Sequence, residues 1–238
     1  MCGRFTLHTE KDMLARRFRF ELAEIEPRYN VAPTQDVWVV RAKTDPGMAT
    51  PAREAQAMRW GLIPHWAKGP RDLPQMINAR IETAAEKPAF RDAFASRHCF
   101  VLADGFFEWK ADARGGPKVP HLIRRKDGGA FAMAGLFERW RPREGPAVTS
   151  CTILTAPANE AVAPLHDRMP IILAPDREDV WLDPGAPDEA IRRALEPLAA
   201  ADLEVYPVST RVNAATAEGR ELIERHEPEP VYRTGSLF

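Results

Sequence analysis

Five short apolar or alternating runs follow one another closely in the middle of the chain, and they constrain the fold more than any other feature. Turns rich in Gly, Pro and Asp separate them, and Asp127-Gly128 is typical of a tight hairpin. Because strands that are close in sequence pair most simply with their neighbours, the runs predict a strongly curved, mainly antiparallel sheet. The runs are Phe100–Ala103, Phe106–Trp109, His121–Arg124, Phe131–Leu136 and Val148–Leu154.

Helices and further strands flank this region. Thr9–Asp12 is typical of a helix start, and an amphipathic stretch follows it to Phe18. Arg28–Gln35 is predicted to be a loop, because Pro33 interrupts any strand ladder. The remaining predictions are strands at Val37–Val40, Ala55–Trp60, Met169–Leu173 and Leu203–Val208, helices at Pro88–Ala95, Asp176–Leu182 and Pro187–Ala199, and a surface loop at 67–74.

The elements together predict one α+β domain, with a β core and peripheral helices. A length of 238 residues with 45% apolar side chains suits a single large core. We expect the domain to span residues 1–226 and residues 227–238 to form a loosely held tail. No run approaches the ~20 apolar residues of a membrane span, and no secretory signal is visible, so a cytoplasmic monomer without membrane contact is expected.

Cys2 is the first candidate for chemistry. Its small side chain favours removal of Met1, which would leave a free α-amine and a thiol on adjacent carbons. Such a 1,2-aminothiol condenses with an aldehyde: the amine forms an imine, and the sulfur closes a five-membered thiazolidine. The amine titrates near ~7.7 to 8.0 and the thiol near ~8.5, so a nearby acid or base should help. The alternative is that Cys2 is an ordinary second residue.

The other two cysteines have no such signal. Cys99 and Cys151 lie in apolar runs and are predicted to be small buried hydrophobes. Three cysteines give neither a disulfide framework nor metal-ligand spacing, so we expect no metal site.

Glu108 is a second candidate because it stands between Phe107 and Trp109. The alternation of a strand could simply point it to solvent. If it faces a pocket instead, desolvation raises the pKa of its carboxyl group and makes it a usable proton shuttle.

His166, Asn78 and two arginines complete the polar candidates among apolar neighbours. A single His is more often structural than catalytic, but Asp167 beside His166 makes a plain surface turn less convincing. Asn78 and Arg80 could be a loop-stabilising amide and a surface charge. A net charge of −1 argues against a uniformly basic nucleic-acid-binding surface and leaves a basic groove open.

Eight motifs occur in a fixed order along nearly the whole chain, from Met1 to about Asn213. They are MCGRF (1–5), RYNVAPTQ (28–35), WGLIPHW (60–66), INARIET (77–83), ADGFFEW (103–109), ILTAPAN (153–159), HDRMPIIL (166–173) and PVSTRVN (207–213). In these motifs the chain closely resembles the SRAP family, the SOS-response-associated peptidase proteins that process abasic sites in DNA. The resemblance implies a compact α+β domain with a positively lined groove for single-stranded DNA.

The resemblance also implies roles for individual residues. Two departures from the family pattern are Phe107, where Tyr is common, and His65 before Trp66. The implied catalytic residues are Cys2, Asn78, Glu108 and His166, and the implied DNA-binding residues are Arg4, Asn30, Pro33, Trp66, Arg80 and Arg168.

The reaction implied is covalent capture of the ring-opened aldehyde of an abasic site in single-stranded DNA. Glu108 would move the protons of imine formation, Asn78 would orient the open sugar, and His166 would assist ring opening. Thiazolidine closure by Cys2 would shield the strand from cleavage, with no metal or cofactor, in a protein associated with the nucleoid when bound to DNA. Whether peptidase activity goes beyond Met1 removal, or lyase activity occurs, stays open.

Two rival classes differ in what they would do. An N-terminal-nucleophile hydrolase or glutamine amidotransferase can also begin Met-Cys-Gly, and would release ammonia from glutamine without DNA. A non-catalytic nucleic-acid binder would retain DNA and form no covalent adduct.

Overall fold

The computed structural model describes residues 2–21, 23–43, 52–70, 72–111, 115–183 and 185–226, so the predicted tail at 227–238 lies outside the described residues. The strands are β1 (Phe5–Leu7), β2 (Arg28–Val31), β3 (Asp36–Lys43), β4 (Ala52–Trp60), β5 (Asn78–Arg80), β6 (His98–Ala103), β7 (Gly105–Lys110), β8 (Val119–Arg125), β9 (Phe131–Trp140), β10 (Val148–Pro157), β11 (Arg168–Pro170), β12 (Ile172–Leu173) and β13 (Leu203–Pro207). The helices are α1 (Lys11–Phe18), α2 (Ile81–Ala84), α3 (Arg91–Ser96), α4 (Glu178–Leu182) and α5 (Asp188–Ala194).

Two sheets share these strands. The smaller sheet has the order β13-β8-β7-β1-β2, and all of its pairs are antiparallel. In the larger sheet β10 pairs with β4 at one side and β9 at the other, so β10, β4, β3, β6 and β9 close into a ring. The predicted α+β class and mainly antiparallel, curved core are confirmed. Parallel pairing occurs where β10 meets β4 and β5.

The chain passes from one sheet to the other at Asp104, between β6 and β7. The Asp104 carboxylate is buried and accepts hydrogen bonds from the backbone N–H groups of His8 and Thr9 and from the Thr9 hydroxyl. A buried carboxylate needs such donors, and these three tie the start of α1 to the junction of the sheets. The predicted central strands therefore belong to two layers and not to one sheet.

Apolar clusters pack against both faces of the ring. Val39 and Val101 lie in a cluster that also holds Cys2, whereas their neighbours Val40 and Phe100 pack in a second cluster under α1, α3 and α4. Since successive side chains of a strand point to opposite faces, a segment buried on both faces is a continuous apolar run, as Phe131–Leu136 of β9 is. Cys99 and Cys151 are fully buried, as predicted.

Gly135 allows β9 to pair with two strands at one point. It lies opposite Cys99 of β6 and opposite Ile153 of β10. A Cβ atom at this position would stand 2.8 Å from the carbonyl oxygen of Thr152, so the ring closes here only around glycine.

Three predicted boundaries are wrong. Arg28–Val31 is strand β2 and not loop, because the ladder ends before Pro33 reaches it. The helix predicted from Pro88 begins at Arg91. The helix predicted over Pro187–Ala199 ends at Ala194, since Pro197 disfavours helical backbone in the residue before it.

The remaining helical and strand predictions need only small changes. The helix predicted over Asp176–Leu182 begins with a 3-10 turn before α4. The strand predicted over Met169–Leu173 divides into β11 and β12 at Ile171, whose N–H donates to the carbonyl of Leu154. None of the helices in the described ranges combines the length and apolar character needed to cross a membrane.

Candidate functional site

Strand pairing brings Cys2 to the second half of β7. β1 lies antiparallel to β7, and the pairing continues before β1, where the N–H of Phe107 donates to the carbonyl of Arg4 at 2.9 Å. In this direction the chain carries Cys2 alongside the part of β7 that holds Glu108. The Cys2 side chain is fully buried, with Sγ 3.9 Å from the Arg4 carbonyl oxygen.

Asn78 holds the backbone of Cys2 from the other side. It lies on β5, which runs parallel to β10. Its Nδ2 donates to the carbonyl oxygen of Cys2 at 2.7 Å, while its Oδ1 is buried and accepts no hydrogen bond from any described residue. Asn78 therefore fixes Cys2 and presents one unused acceptor in the same place. Ala79 is buried and Arg80 exposed, so the strand alternation puts Arg80 on the side of Asn78.

Glu108 faces the interior, so the interpretation that strand alternation turns it to solvent is wrong. Its residue exposure is 5%, and burial raises the pKa of its carboxyl group. The positive charge at the chain's amino terminus and the charge of His166 lower this pKa in part, without reversing the shift. A carboxyl with a raised pKa can hold a proton nearer neutral pH and can pass it on.

The Cys2 thiol is strongly disfavoured as a thiolate. Burial raises its pKa well above the usual range, and the negative charge of Glu108 raises it further, whereas the hydrogen bond to the Arg4 carbonyl and the amino-terminal charge oppose the shift. The sulfur is consequently a neutral thiol until a base accepts its proton.

His166 lies in the turn that follows β10, half-buried. Its Nδ1 lies 2.9 Å from the backbone N–H of Arg168, a donor that favours the neutral ring with its proton on Nε2. Asp167 Oδ1 lies 2.8 Å from the same Nδ1, on a side chain that is 81% exposed, and pairs with it when the ring is charged. The influence of His166 on the Glu108 pKa makes the two residues electrostatic neighbours.

Arg168, a predicted DNA-binding residue, is bound within the protein. It is 7% exposed, and its guanidinium donates to both carboxylate oxygens of Glu82, at 2.6 and 2.8 Å, and to the carbonyl of Thr155 at 2.6 Å. Arg168 therefore has a structural partner for its charge, and its phosphate contact stays a prediction.

Arg4 and Asn30 are joined to each other and to the segment after β13. Arg4 Nη1 donates to Asn30 Oδ1 and to the carbonyl of Val212, both at 2.8 Å. Asn30 is fully buried and its Nδ2 donates to the carbonyls of Val212, Ala214 and Ala217. In this arrangement any influence of Asn30 on DNA is exerted through Arg4 and the 212–217 segment.

Arg80 and Trp66 are the predicted DNA-binding side chains that the structure leaves accessible. Arg80 is exposed beside Asn78, and Trp66 is 50% exposed, with its Nε1 3.4 Å from the carbonyl of Pro88. Pro33 is half-buried in the turn whose next residue, Thr34, donates to the carbonyl of Trp60. Their contacts with DNA remain predictions.

Glu82, the carboxylate that binds Arg168, is not among the site residues predicted from the sequence. A usable signal was present, since an acid two positions after Arg80 in INARIET is a natural partner for a cationic site. Within the described ranges no three His, Cys, Asp or Glu side chains are grouped to hold a metal ion.

Comparison with known proteins gives a consistent assignment. The family model described as SOS response associated peptidase (SRAP) matches residues 1–215. The abasic site processing protein YoqW of Bacillus subtilis is 41% identical over 232 residues, which cover 95% of this chain and 100% of the relative. The abasic site processing protein YedK of Escherichia coli is 32% identical, with 94% and 99% covered, and HMCES of Gallus gallus is 31% identical, with 88% and 70% covered.

Solved structures agree on the fold. A crystal structure of a protein from Bacteroides thetaiotaomicron has a TM-score of 0.83 and 24% identity, with 95% of this chain and 100% of that chain covered. A protein from Bordetella bronchiseptica has a TM-score of 0.74 and 28% identity, with 87% and 100% covered.

Proposed function

We propose, because this chain belongs to the SOS response associated peptidase (SRAP) family, that it processes abasic sites in single-stranded DNA by capturing their aldehyde on Cys2. The observation that carries the proposal is the convergence of a second-residue cysteine with Asn78 and Glu108 in one buried place. The relatives' names state the same class of substrate.

The first step needs the α-amine of Cys2, which becomes available when Met1 is removed. This removal is the only peptidase step that the proposal requires. Glu108 in its ionised form accepts a proton from the ammonium group, and the neutral amine adds to the aldehyde carbon. The C–N bond forms as the C=O π bond breaks, and one proton passes from the nitrogen to the former carbonyl oxygen, giving a carbinolamine while Glu108 keeps the proton of the ammonium group.

The second step expels water from the carbinolamine. Glu108, now protonated, gives its proton to the departing hydroxyl group, which leaves as water while the nitrogen lone pair forms the C=N bond. The iminium nitrogen then loses its proton to the ionised Glu108, which leaves a neutral imine. Its buried position suits this exchange, because burial raises the pKa of the carboxyl group and so favours its protonated form more than in an exposed Glu. The unused Oδ1 of Asn78 offers an acceptor for a hydroxyl of the open sugar.

The last step closes the ring. The Cys2 sulfur adds to the imine carbon, its proton passes to the imine nitrogen, and the product is a thiazolidine. A strongly raised thiol pKa suits this order, since the neutral thiol does not compete with the amine for the aldehyde at the start. Removal of the imine also prevents β-elimination, so the DNA strand stays intact.

The direct test uses a single-stranded oligonucleotide with one abasic site and the protein with Met1 removed. A band of lower mobility that survives heating in denaturant is expected, and an otherwise identical undamaged oligonucleotide should give none. Binding without such a band from the damaged strand would contradict covalent capture. Ammonia release from glutamine in the absence of DNA would favour the amidotransferase class instead.

Arg80→Glu should weaken binding to undamaged single-stranded DNA, because it replaces an exposed cation beside the site with an anion. Loss of one phosphate contact should reduce the slope of log affinity against log salt by about 0.7. Fluorescence anisotropy across a salt series measures both. Arg16→Glu, the same change at an exposed position on α1, is the matched control and should change the affinity less. Equal losses of affinity in the two variants would show that binding depends on the overall charge of the protein and not on a groove at Arg80.

A further inference from the structure

We propose that Glu82 is a positioning residue for His166, acting through Arg168. This inference rests on the proposed function for its effect on crosslinking, and on geometry alone for its effect on the imidazole ring. Glu82 itself takes no step in the proposed mechanism.

The first link is the ion pair between Glu82 and Arg168. Both carboxylate oxygens of Glu82 accept from the guanidinium, at 2.6 and 2.8 Å, in the two-pronged arrangement that fixes orientation as well as distance. A third bond, from Nη2 to the carbonyl of Thr155 at 2.6 Å, attaches the same group to β10. Arg168 is thus held at its side-chain end, where it is 7% exposed.

The second link is the backbone of Arg168. β11 begins at this residue, which lies opposite Pro157 of β10. Its N–H donates to His166 Nδ1 at 2.9 Å, and this donor favours the ring proton on Nε2 when the imidazole is neutral. Asp167 Oδ1, 2.8 Å from the same Nδ1, is the competing partner and favours the proton on Nδ1. The balance between these two contacts sets the tautomer, and any loosening of the Arg168 backbone shifts it toward Nδ1.

The ion pair also bears on how Arg168 could meet DNA. A phosphate that approached the guanidinium would have to compete with Glu82 for the same donors. Exposed Arg80 is the more accessible cation. The hydrogen bond from Arg168 lowers the pKa of Glu82, and the charges of Arg168 and Arg80 lower it further. Glu82 is thereby kept ionised at neutral pH and remains bound to Arg168.

The kinetic test compares Glu82→Gln with Glu86→Gln, an exposed acid just after α2 for which the structure gives no ion pair among described residues. At saturating DNA, Glu82→Gln should slow adduct formation by about 10-fold, within the about 10²-fold loss that a small misplacement can cause. At saturating DNA a change in affinity does not enter this rate, and Glu86→Gln should match the wild type. A wild-type rate of adduct formation by Glu82→Gln at saturating DNA would overturn the proposal, whether or not the variant binds DNA more tightly.

A double-mutant cycle tests whether Glu82 affects the rate of adduct formation through His166. In the His166→Ala background, Glu82→Gln should change the rate by less than about 2-fold, because the group it positions is already absent. A full additional loss in the double variant would refute the link. Glu82→Asp, which keeps the charge, should recover part of the rate.

A measurement without DNA separates this inference from the proposed function. The ¹⁵N chemical shifts of His166 should show the proton on Nε2 in the wild type and a shift toward the Nδ1 tautomer in Glu82→Gln. Unchanged tautomers would overturn the inference even if crosslinking occurs. Conversely, the protein could show the expected tautomer change and yet form no adduct with an abasic site. That result would support the role of Glu82 in positioning His166 and would refute the proposed function.

Discussion

Cys2→Ala is expected to abolish the stable adduct with an abasic site and to leave binding of undamaged single-stranded DNA intact. The variant keeps the α-amine, so it can still form an imine, which borohydride reduction traps and which otherwise decays with strand cleavage. Without the sulfur no thiazolidine can close. Denaturing electrophoresis after heating, with and without borohydride, measures both products.

The fold should tolerate the change. Cys2 is fully buried in the cluster inside the ring, and loss of one sulfur atom leaves a small cavity there. Cys2→Ser preserves the shape and still lacks the thiol, so it is the matched control and should also give no stable adduct. A heat-stable product from either variant would contradict the assignment.

An uncleaved extension before Cys2 tests the amine in the same way. It keeps the thiol and converts the α-amine to an amide, and it should be as defective as Cys2→Ala. Mass spectrometry of the digested wild-type product should place the abasic nucleotide on a peptide that begins at Cys2. An adduct from the extended protein, or one on Cys99 or Cys151, would refute thiazolidine formation.

Glu108→Gln is expected to slow adduct formation by about 10² to 10⁴-fold, the usual contribution of a positioned acid or base. The final yield should still be reachable, because Cys2 remains. Stopped reactions sampled over time measure the rate. His166→Ala, which removes a group beside Glu108, should slow the reaction within the same range, and wild-type rates in both variants across pH 5 to 8 would exclude these residues from the mechanism.

The pH dependence of the rate of adduct formation tests the role of Glu108 more directly. Its pKa is raised by burial, so in the wild type the ionised form, which must accept the ammonium proton, is lost as pH falls through a value above the ordinary 4.5. The rate should fall over that range, and Glu108→Gln should lack this limb of the profile.

The free energy of unfolding should change with pH in the opposite direction to the rate of adduct formation. A raised folded-state pKa means that the ionised carboxylate destabilises the fold at pH values above it, and this penalty disappears below the unfolded pKa. Glu108→Gln should therefore have an equal or higher Tm than the wild type near pH 8, with the gain shrinking as pH falls. A lower Tm at pH 8 would mean that the rate loss reflects misfolding.

The fold class, most strands and the likeness to a family could be predicted from the amino-acid sequence. Local patterns carried these inferences: apolar runs such as Phe131–Leu136 mark strands because burial depends on side-chain polarity, and turns such as Asp127-Gly128 mark their ends. The position of Cys2 next to Met1 is likewise a fact of the covalent chain, and its amine-thiol chemistry follows from connectivity.

Tertiary structure alone decided how these parts meet. Asn78 bonds the backbone of Cys2 across 76 positions, and Arg4 bonds the carbonyl of Val212 across 208. Glu82 neutralises Arg168 across 86 positions, so a cation expected to contact phosphate is already paired. Local pattern indicates that a side chain is polar and in which secondary structure it lies. Its hydrogen-bond partner, and hence its charge state and its proton, depends on which distant strands the closed ring places beside it.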